Sequence, residues 1–180
     1  MQKLKIVGGK KLTGEIPISG AKNSAVALIP AAILCDEETN ILNIPEISDR
    51  DDLIEIMTLL GAEINSHGEK MTINSSHVQN KEIKEELTTR LRASYYFMGA
   101  LLGRFKHVEI YFPGGCQIGQ RKIDYHLKGF QAMGATITED KMKYIIDAPE
   151  LKGAKIYLDF ASVGATINIM LAAVKAKGIT

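Results

Sequence analysis

Apolar and polar residues alternate along the chain in short blocks, which predict strands and apolar helices in turn. In the first half, the predicted elements are strands over 3–7 and 15–19, a helix over 25–34, a strand over 40–44, a helix over 52–60, and a hairpin of 62–65 with 70–74. Pro30 lies inside the first predicted helix, so that it either kinks this helix or moves its start.

The same order of elements returns in the second half of the chain. The repeated elements are a helix from 91 to about 102, a strand over 108–112, a helix over 124–133, and a hairpin of 135–138 with 143–147. A third copy begins with a strand over 155–160 and a helix from Ser162 to about 175. This repetition predicts an α/β or α+β fold with the apolar helices packed together and the sheets outside. The seam between the copies is then the candidate site, and the unfinished third copy suggests a fragment of a longer protein.

The second copy carries extra residues in one loop. Sixteen residues separate Pro45 from Gly61, whereas twenty-one separate Pro113 from Gly134. The additional residues fall in the glycine-rich loop 114–120, which contains Cys116. The loop alone is equally compatible with an incidental surface turn, but an insertion in one copy of a repeat is a common place for function.

Two cations follow the cysteine of this loop. Arg121 and Lys122 favour the thiolate form, so we expect a lowered pKa for the Cys116 thiol. The planar guanidinium of Arg121 can also bind a phosphate or carboxylate through two parallel hydrogen bonds.

Each copy begins its first helix with polar or cationic residues. These are Lys22 and Asn23, then Arg90 and Arg92, then Ser162 and Thr166. A cation at a helix N-terminus opposes the helix dipole and is tolerated best when an anion binds between them. Copies related by rotation should therefore bring the three starts together around an anion. Solvated charges and routine caps are the alternative interpretation.

Composition argues against several classes of protein. The net charge is +1 and Trp is absent, which predicts no surface for nucleic acid. The start of the chain lacks a signal peptide, and the longest apolar run, 25–35, is too short to cross a membrane. Two cysteines without such a signal suggest the cytoplasm. The spacing of His, Cys and Asp predicts no metal site, and no dinucleotide fingerprint is present, so we expect no cofactor.

Several other side chains are expected to be structural. We expect Cys35, Met98, Met133 and Met170 to be buried, His67 and His107 to be solvated, His126 to be a packing or supporting group, and 82–86 to be a solvated face or linker. Asp124 is either a helix cap or an acceptor for a ligand.

Four ordered motifs resemble the UDP-N-acetylglucosamine enolpyruvyl transferases. They are Ile18–Asn23, Arg92–Ser94, Pro113–Gly119 and Ser162–Thr166, within a resemblance that runs from about Lys3 to Thr180. The cysteine loop separates this branch from the shikimate-pathway transferases of the same fold. The resemblance implies an inside-out α/β barrel of repeated βαβαββ units, incomplete in this chain. Residues 1–21 would be strands of an otherwise missing C-terminal domain, and 22–180 the N-terminal domain with a truncated third repeat.

The resemblance also implies a reaction. These transferases carry the enolpyruvyl group of phosphoenolpyruvate to the 3-hydroxyl of UDP-N-acetylglucosamine by addition and elimination, with release of phosphate. This is the first committed step of bacterial peptidoglycan synthesis and takes place in the cytoplasm. The implied partners are the two substrates and the missing domain, without nucleic acid or membrane. Transfer to a shikimate phosphate and an inactive UDP-sugar-binding fragment are the alternatives.

Roles for individual residues follow from the same motifs. Cys116, Lys22 and Arg121 resemble catalytic residues, and Cys116 resembles the loop thiol that donates a proton, forms an adduct with phosphoenolpyruvate and is alkylated by fosfomycin. Substrate contacts are implied for Lys22, Asn23, Arg92, Arg121, Lys122, Ile123, Asp124, Tyr125, Ser162, Val163 and Gly164. Lys122 stands where the family often has Pro, and Phe160 where some members have Lys.

Overall fold

The computed structural model describes residues 3–114 and 123–180 of the chain. The helices are α1 (Lys22–Ala31), α2 (Ser48–Leu60), α3 (Glu85–Arg90), α4 (Tyr96–Phe105), α5 (Asp124–Ala132) and α6 (Val163–Ala173). The strands are β1 (Glu38–Ile41), β2 (Glu63–His67), β3 (Lys70–Asn74), β4 (His107–Tyr111), β5 (Thr136–Asp140) and β6 (Lys143–Asp147). Short 3-10 helices, Ala32–Leu34 and Arg92–Tyr95, follow α1 and precede α4. The repeated order of helix, strand, helix and hairpin is confirmed.

The two complete repeats form sheets of identical topology. Each is a three-stranded antiparallel sheet, in the order β1-β3-β2 and β4-β6-β5. The last residue of each central strand, Asn74 or Asp147, lies opposite the first residue of both neighbouring strands. The second hairpin turns at Lys141 and Met142, with φ of 46° and 70°, between the two predicted strands of this hairpin.

The helices lie inside and the sheets outside. Residues Tyr96–Gly103 of α4 are buried all round, because this helix packs between α1 and α6 and also against β4. Met71 and Ile73 of β3 are fully buried on the inner face, while β1 and β2 expose alternate residues. Removal of each such side chain from water stabilises the fold by about 1.5–3 kcal/mol. The predicted inside-out arrangement is therefore confirmed.

Glycines allow α4 and α6 to approach closely. A Cβ atom on Gly99 would collide with the backbone oxygen of Asn168, and one on Gly103 would lie 3.0 Å from the backbone oxygen of Leu171. Beyond Gly103, the Lys106 Nζ donates to the Gly103 oxygen at 2.6 Å and to the Lys175 oxygen at 3.3 Å. Burial, and then the charge of Lys175, lower the pKa of Lys106. The two helices are therefore joined along their whole contact.

The first helix begins earlier than its apolar residues predict. It starts at Lys22, three residues before the predicted start, and Ala21 is its N-cap. Pro30 consequently lies in the last turn, where the chain changes to a 3-10 helix at Ala32. Helix α2 likewise begins at Ser48 instead of residue 52. In both cases the polar residues of the first turn belong to the helix, which the apolar pattern alone does not reveal.

Three predicted strands are absent from the described part of the chain. Residues 3–7, 15–19 and 155–160 pair with no other strand there, and side chains such as Leu4 and Ile6 are 88% and 81% exposed. Alternating apolar residues form a strand only when a neighbour takes up the backbone hydrogen bonds. The assignment of residues 1–21 to another domain stays a prediction.

Some predicted burials are wrong. Cys35 is exposed because it follows the end of a 3-10 helix, and Met170 is 60% exposed on the outer side of α6, whereas Met98 and Met133 are buried as expected. His67 is exposed as expected, and the His107 side chain is 38% exposed while its Nδ1 lies 2.6 Å from the Asp147 Oδ1. The segment 82–86 is a solvated face as predicted, with Glu82, Lys84, Glu85 and Glu86 exposed. It is not a linker, because it buries Ile83, which bridges to Ile110, and it begins α3.

Candidate active site

A cavity of about 580 Å³ opens where the beginnings of α1 and α6 meet the 3-10 helix that precedes α4. Its walls are Lys22, Asn23, Val26, Ser48, Asp49, Asp52, Arg90, Leu91, Arg92, Ala93, Tyr95, Tyr96, Val163, Gly164 and Ile167. The expected convergence of the three helix starts is thereby confirmed. The polar residues of three distant sequence segments now surround one space.

Five residues predicted to contact substrate line this cavity, namely Lys22, Asn23, Arg92, Val163 and Gly164. Ser162 lies next to them as the N-cap of α6, and its Oγ accepts a hydrogen bond from the Ala165 N–H at 3.3 Å. The roles of these residues as ligand contacts remain predictions.

Other predicted contacts lie away from the cavity wall. Ile123 is buried as the N-cap of α5, and Asp124 is the first residue of that helix rather than its cap. In the first turn of α5, the negative charge of the Asp124 carboxylate interacts favourably with the helix dipole. Tyr125 is half-buried on α5 and does not line the cavity either. Cys116, Arg121 and Lys122 lie outside the described residues.

Carboxylates of α2 hold two of the cations at the cavity. The Lys22 Nζ lies 2.7 Å from the Asp49 Oδ1, with the lysine side chain 56% exposed. Arg90 makes a similar pair with Glu55 at 2.7 Å and a looser one with Asp52 at 3.6 Å. The sequence analysis missed Asp49 and Asp52 as cavity residues, although their spacing of three puts both on one face of the first turns of α2.

The opposite wall is aromatic. The Arg92 guanidinium lies 5.8 Å from the centre of the Tyr95 ring, and Tyr95 meets His126 edge-on with 4.7 Å between ring centres. Burial, followed by the positive charge of Arg92, lowers the pKa of His126 to about 4. Burial, together with a hydrogen bond between the side chains of Tyr96 and Tyr95, raises the pKa of Tyr96. Both groups are therefore neutral at neutral pH, and Arg92 supplies the charge of this wall.

Behind the aromatic wall lies Asn168, whose side chain is fully buried. The sequence analysis missed this residue. The available signal was a single polar residue in the otherwise apolar run 167–173. A polar side chain within a buried helix is expected to have hydrogen-bond partners, because buried polar groups rarely lack them.

Within residues 3–114 and 123–180, no group of three or more His, Cys, Asp or Glu side chains is arranged to hold a metal ion. No helix of those residues has the length and hydropathy needed to span a membrane.

Inner helices with converging polar starts, surrounded by sheets of repeated topology, agree with the fold implied by the four sequence motifs. The family model of EPSP synthase (3-phosphoshikimate 1-carboxyvinyltransferase) matches residues 6–180. The chain belongs to this family.

Two kinds of relative support this assignment. The chain is 53% identical over 180 residues to UDP-N-acetylglucosamine 1-carboxyvinyltransferase 2 of Oceanobacillus iheyensis and 49% identical to the protein of that name from Bacillus subtilis; the match covers all of this chain and 42% of each relative. The enolpyruvyl transferase NikO from Streptomyces tendae shares the fold with a TM-score of 0.79 at 23% identity, over 95% of this chain and 40% of that one. An EPSP synthase from Acinetobacter baumannii gives a TM-score of 0.70 at 18% identity, over 92% of this chain and 39% of that one. The chain thus spans less than half the length of these relatives.

Proposed function

We propose that this chain is the substrate-binding half of a UDP-N-acetylglucosamine 1-carboxyvinyltransferase. The observation that carries the proposal is the cavity at the three helix starts, with Lys22 and Arg92 on its walls. The supporting comparison is 49–53% identity to relatives of that name. The same proposal assigns the reaction to the cytoplasm and to the first committed step of peptidoglycan synthesis.

The proposed reaction requires cations and a mobile proton. The sugar 3-hydroxyl attacks C2 of phosphoenolpyruvate while C3 is protonated, and a tetrahedral ketal forms. Loss of a proton from C3 then expels phosphate and leaves the enolpyruvyl ether. Positive groups that face the phosphate stabilise both steps, a task for which we propose Lys22 and Arg121. Cys116 is the proposed acid at C3.

The two walls of the cavity suit different parts of the substrates. Lys22 and Asn23 on the first turn of α1 offer donors to phosphoenolpyruvate. Arg92 and the first turn of α6, with the N–H groups of Val163 and Gly164 at a helix N-terminus, suit the diphosphate of the UDP-sugar. Segment 121–125 would add further contacts to the sugar nucleotide. This division predicts that variants of Lys22 weaken the binding of phosphoenolpyruvate, whereas variants of Arg92 weaken the binding of the UDP-sugar.

A substrate comparison tests the proposed function. Phosphate release is measured with the whole protein that carries this chain, using phosphoenolpyruvate with either UDP-N-acetylglucosamine or shikimate 3-phosphate. Release with the UDP-sugar alone supports the proposal. Release with shikimate 3-phosphate alone overturns it in favour of the shikimate branch. The Lys22→Ala variant is expected to lose most of the turnover because one of the phosphate-facing cations is removed.

A binding function without turnover is the second candidate for the chain by itself. It is favoured by the span of the chain, which is 42% of the length of its relatives. Calorimetry with UDP-N-acetylglucosamine is expected to detect weak binding to the 180-residue chain, while a parallel assay detects no phosphate release. Turnover by the chain alone would contradict this second candidate.

The proposed partner of residues 1–21 is the other domain of the same protein. Apolar side chains of this segment are largely exposed, as at Leu4, Ile6 and Ile16. Exposed apolar residues in an alternating pattern are expected to pair with further strands. Protection of residues 3–19 from hydrogen exchange in the whole protein but not in the chain would support this arrangement, and equal exchange in both would contradict it.

Cys116 provides a test of the loop assignment. The Cys116→Asp variant is expected to keep turnover, since a carboxyl group can still donate a proton, and to lose sensitivity to fosfomycin. The matched control is Cys35→Ser, because Cys35 is exposed and is not part of the cavity wall. Mass spectrometry should find the fosfomycin adduct on Cys116 in the control. Unchanged sensitivity of Cys116→Asp would reject the assignment.

The acid role also predicts a pH profile. We expect the Cys116 thiol to react with an alkylating agent with an apparent pKa below that of a free thiol, about 8.5, because Arg121 and Lys122 favour the thiolate. A normal or raised pKa would contradict the role as acid. Alkylation in the Cys35→Ser background isolates the signal from the second thiol.

A further inference from the structure

Asn168 makes hydrogen bonds to three elements other than its own helix. Its Oδ1 accepts a hydrogen bond from the Gly99 N–H of α4 at 2.8 Å, and its Nδ2 donates one to the backbone oxygen of Tyr95 at 2.9 Å. The same Nδ2 lies 2.9 Å from the Nδ1 of His126 on α5. An amide nitrogen carries two hydrogens and an amide oxygen accepts, so that both hydrogens of this side chain are used and its oxygen accepts one bond.

The orientation of the amide and the state of His126 follow from these partners. If Oδ1 and Nδ2 were exchanged, the Nδ2 donor would face the Gly99 N–H donor, and the Oδ1 acceptor would face the Tyr95 backbone oxygen, also an acceptor. Only one orientation of the amide is therefore compatible with the contacts. Because Nδ2 can only donate, the Nδ1 of His126 accepts and carries no hydrogen. The lowered pKa of His126 agrees with this neutral ring.

The amide connects three segments that reach the candidate site. Tyr95 belongs to the 3-10 helix that carries Arg92, and Gly99 follows in α4. His126 follows Asp124 at the start of α5 and thus stands at the end of the cysteine loop. Asn168 itself lies on α6, one turn beyond Gly164, whose Cβ position would be 2.7 Å from the Tyr95 hydroxyl and 3.5 Å from the His126 ring.

We propose that Asn168 is a positioning residue that sets the 3-10 helix of Arg92, the start of α5 and the start of α6 against one another for the sugar nucleotide. The inference rests on the proposed function of the cavity and goes beyond it, because Asn168 does not line the cavity itself. A buried amide with three partners fixes the relative place of these segments better than apolar packing does, since apolar contacts tolerate small shifts. Lys22 on α1, proposed to bind phosphoenolpyruvate, is not among the partners of this amide.

Two variants and a matched control test the inference. Asn168→Leu removes every hydrogen bond of the amide at similar volume, and Asn168→Asp keeps the acceptor for Gly99 but removes both N–H donors. The control is Ile146→Ala, which removes a fully buried side chain of β6 remote from the cavity wall. Thermal unfolding of all three proteins shows how much of each is folded at the temperature of the binding measurement.

The expected result is a selective loss of affinity for the sugar nucleotide. Calorimetry with UDP-N-acetylglucosamine should show a Kd raised about tenfold in both Asn168 variants, comparable to loss of one buried hydrogen bond. The control should stay within about twofold of wild type even when its unfolding temperature falls further. In the whole protein, the KM for phosphoenolpyruvate should also stay within about twofold in all three. If Asn168→Leu does not fold, Asn168→Asp decides.

A ring-nitrogen measurement separates the inference from the proposed function. The 15N NMR signal of His126 Nδ1 in the wild-type chain should show a hydrogen-bonded nitrogen without a proton, and Asn168→Leu should lose that signature. An unchanged signal would overturn the assigned network. Wild-type affinity in both Asn168 variants, or equal loss in the control, would overturn the positioning role while the proposed function stands. No binding of the UDP-sugar by the wild-type protein would overturn both.

Discussion

The two complete repeats have the same order of elements and the same sheet topology, yet the surroundings of Lys22 in the first and of Arg92 in the second are different. In the first repeat, Lys22 stands on the first turn of α1 and pairs with Asp49 on α2 of the same repeat. In the second repeat, Arg92 lies against Tyr95, with the neutral His126 and the amide of Asn168 behind it.

The difference follows from the neighbours of each repeat. Helix α4 is buried between α1 and α6, and the 3-10 helix that leads into it places the Arg92 guanidinium against the Tyr95 ring. Lys22 is half exposed, and an ion pair there costs little. The repeat thus specifies the fold, whereas the position within the molecule specifies how each cation is supported.

The glycine that ends the second helix of each repeat gives one of the two largest expected effects. Gly61 has φ of +104°, and a Cβ atom there would lie 2.8 Å from the His77 oxygen; Gly134 has φ of +94° with its nearest neighbour at 3.5 Å. Left-handed backbone costs about 1–2 kcal/mol for alanine, and overpacking adds about 1–3 kcal/mol. Urea unfolding should show Gly61→Ala less stable by about 3 kcal/mol and Gly134→Ala by about 1 kcal/mol. Equal losses of unfolding free energy in the two variants would mean that the backbone around His77 moves to make room for the added methyl group.

A pH dependence is expected from the second repeat. Burial and Arg92 lower the pKa of His126 to about 4 in the folded protein, against about 6.5 in the unfolded chain. Below pH 6.5 the unfolded state therefore binds a proton that the folded state does not bind until about pH 4. The free energy of unfolding should fall by about 3 kcal/mol as the pH decreases through this window.

The control for this pH effect is His126→Gln, which cannot be protonated. The difference in unfolding free energy between pH 7 and pH 4, measured in urea, should be smaller in this variant by about the same 3 kcal/mol. Identical slopes in both proteins would show that His126 is not held neutral in the fold.

The smallest effect is expected at the ion pair of the first repeat. A double-mutant cycle of Lys22→Ala and Asp49→Asn should give a coupling energy of about 0.2–1 kcal/mol, because exposed pairs are screened by water. The coupling should shrink further in high salt. A coupling above about 2 kcal/mol at both salt concentrations would indicate a desolvated pair and remove the contrast between the two walls.

The local features of the fold could be predicted from sequence, whereas contacts between distant segments could not. Gly61 and Gly134 mark helix ends in both copies, and each indeed has positive φ. Residues 155–160 alternate in the same way as true strands, but the strand assignment depends on a partner that no local pattern contains. The exposed side of α6 at Met170 was missed for the same reason.

The candidate site could be predicted where its residues are unfavourable for their own helix. Lys22 and Arg92 stand where a helix dipole disfavours a cation, and this conflict indicated a shared anion site. Asp49 conforms to the local rule, since an acid in the first turn of α2 is favourable, so nothing marked it as a cavity residue. Asn168 depends on three partners that only the fold brings together.

The hydrogen bonds of Lys106 tie the end of α4 to the chain beyond α6, whereas Asn168 connects the middle of the same two helices. A rotation of one helix against the other would therefore break a hydrogen bond at one of these two places. Strand β4 begins directly after Lys106. A ligand that shifts the start of α6 would therefore also shift the outer sheet through this connection. Slower amide exchange in β4 on ligand binding would be the mechanical signature of this linkage, some distance from any atom of the ligand.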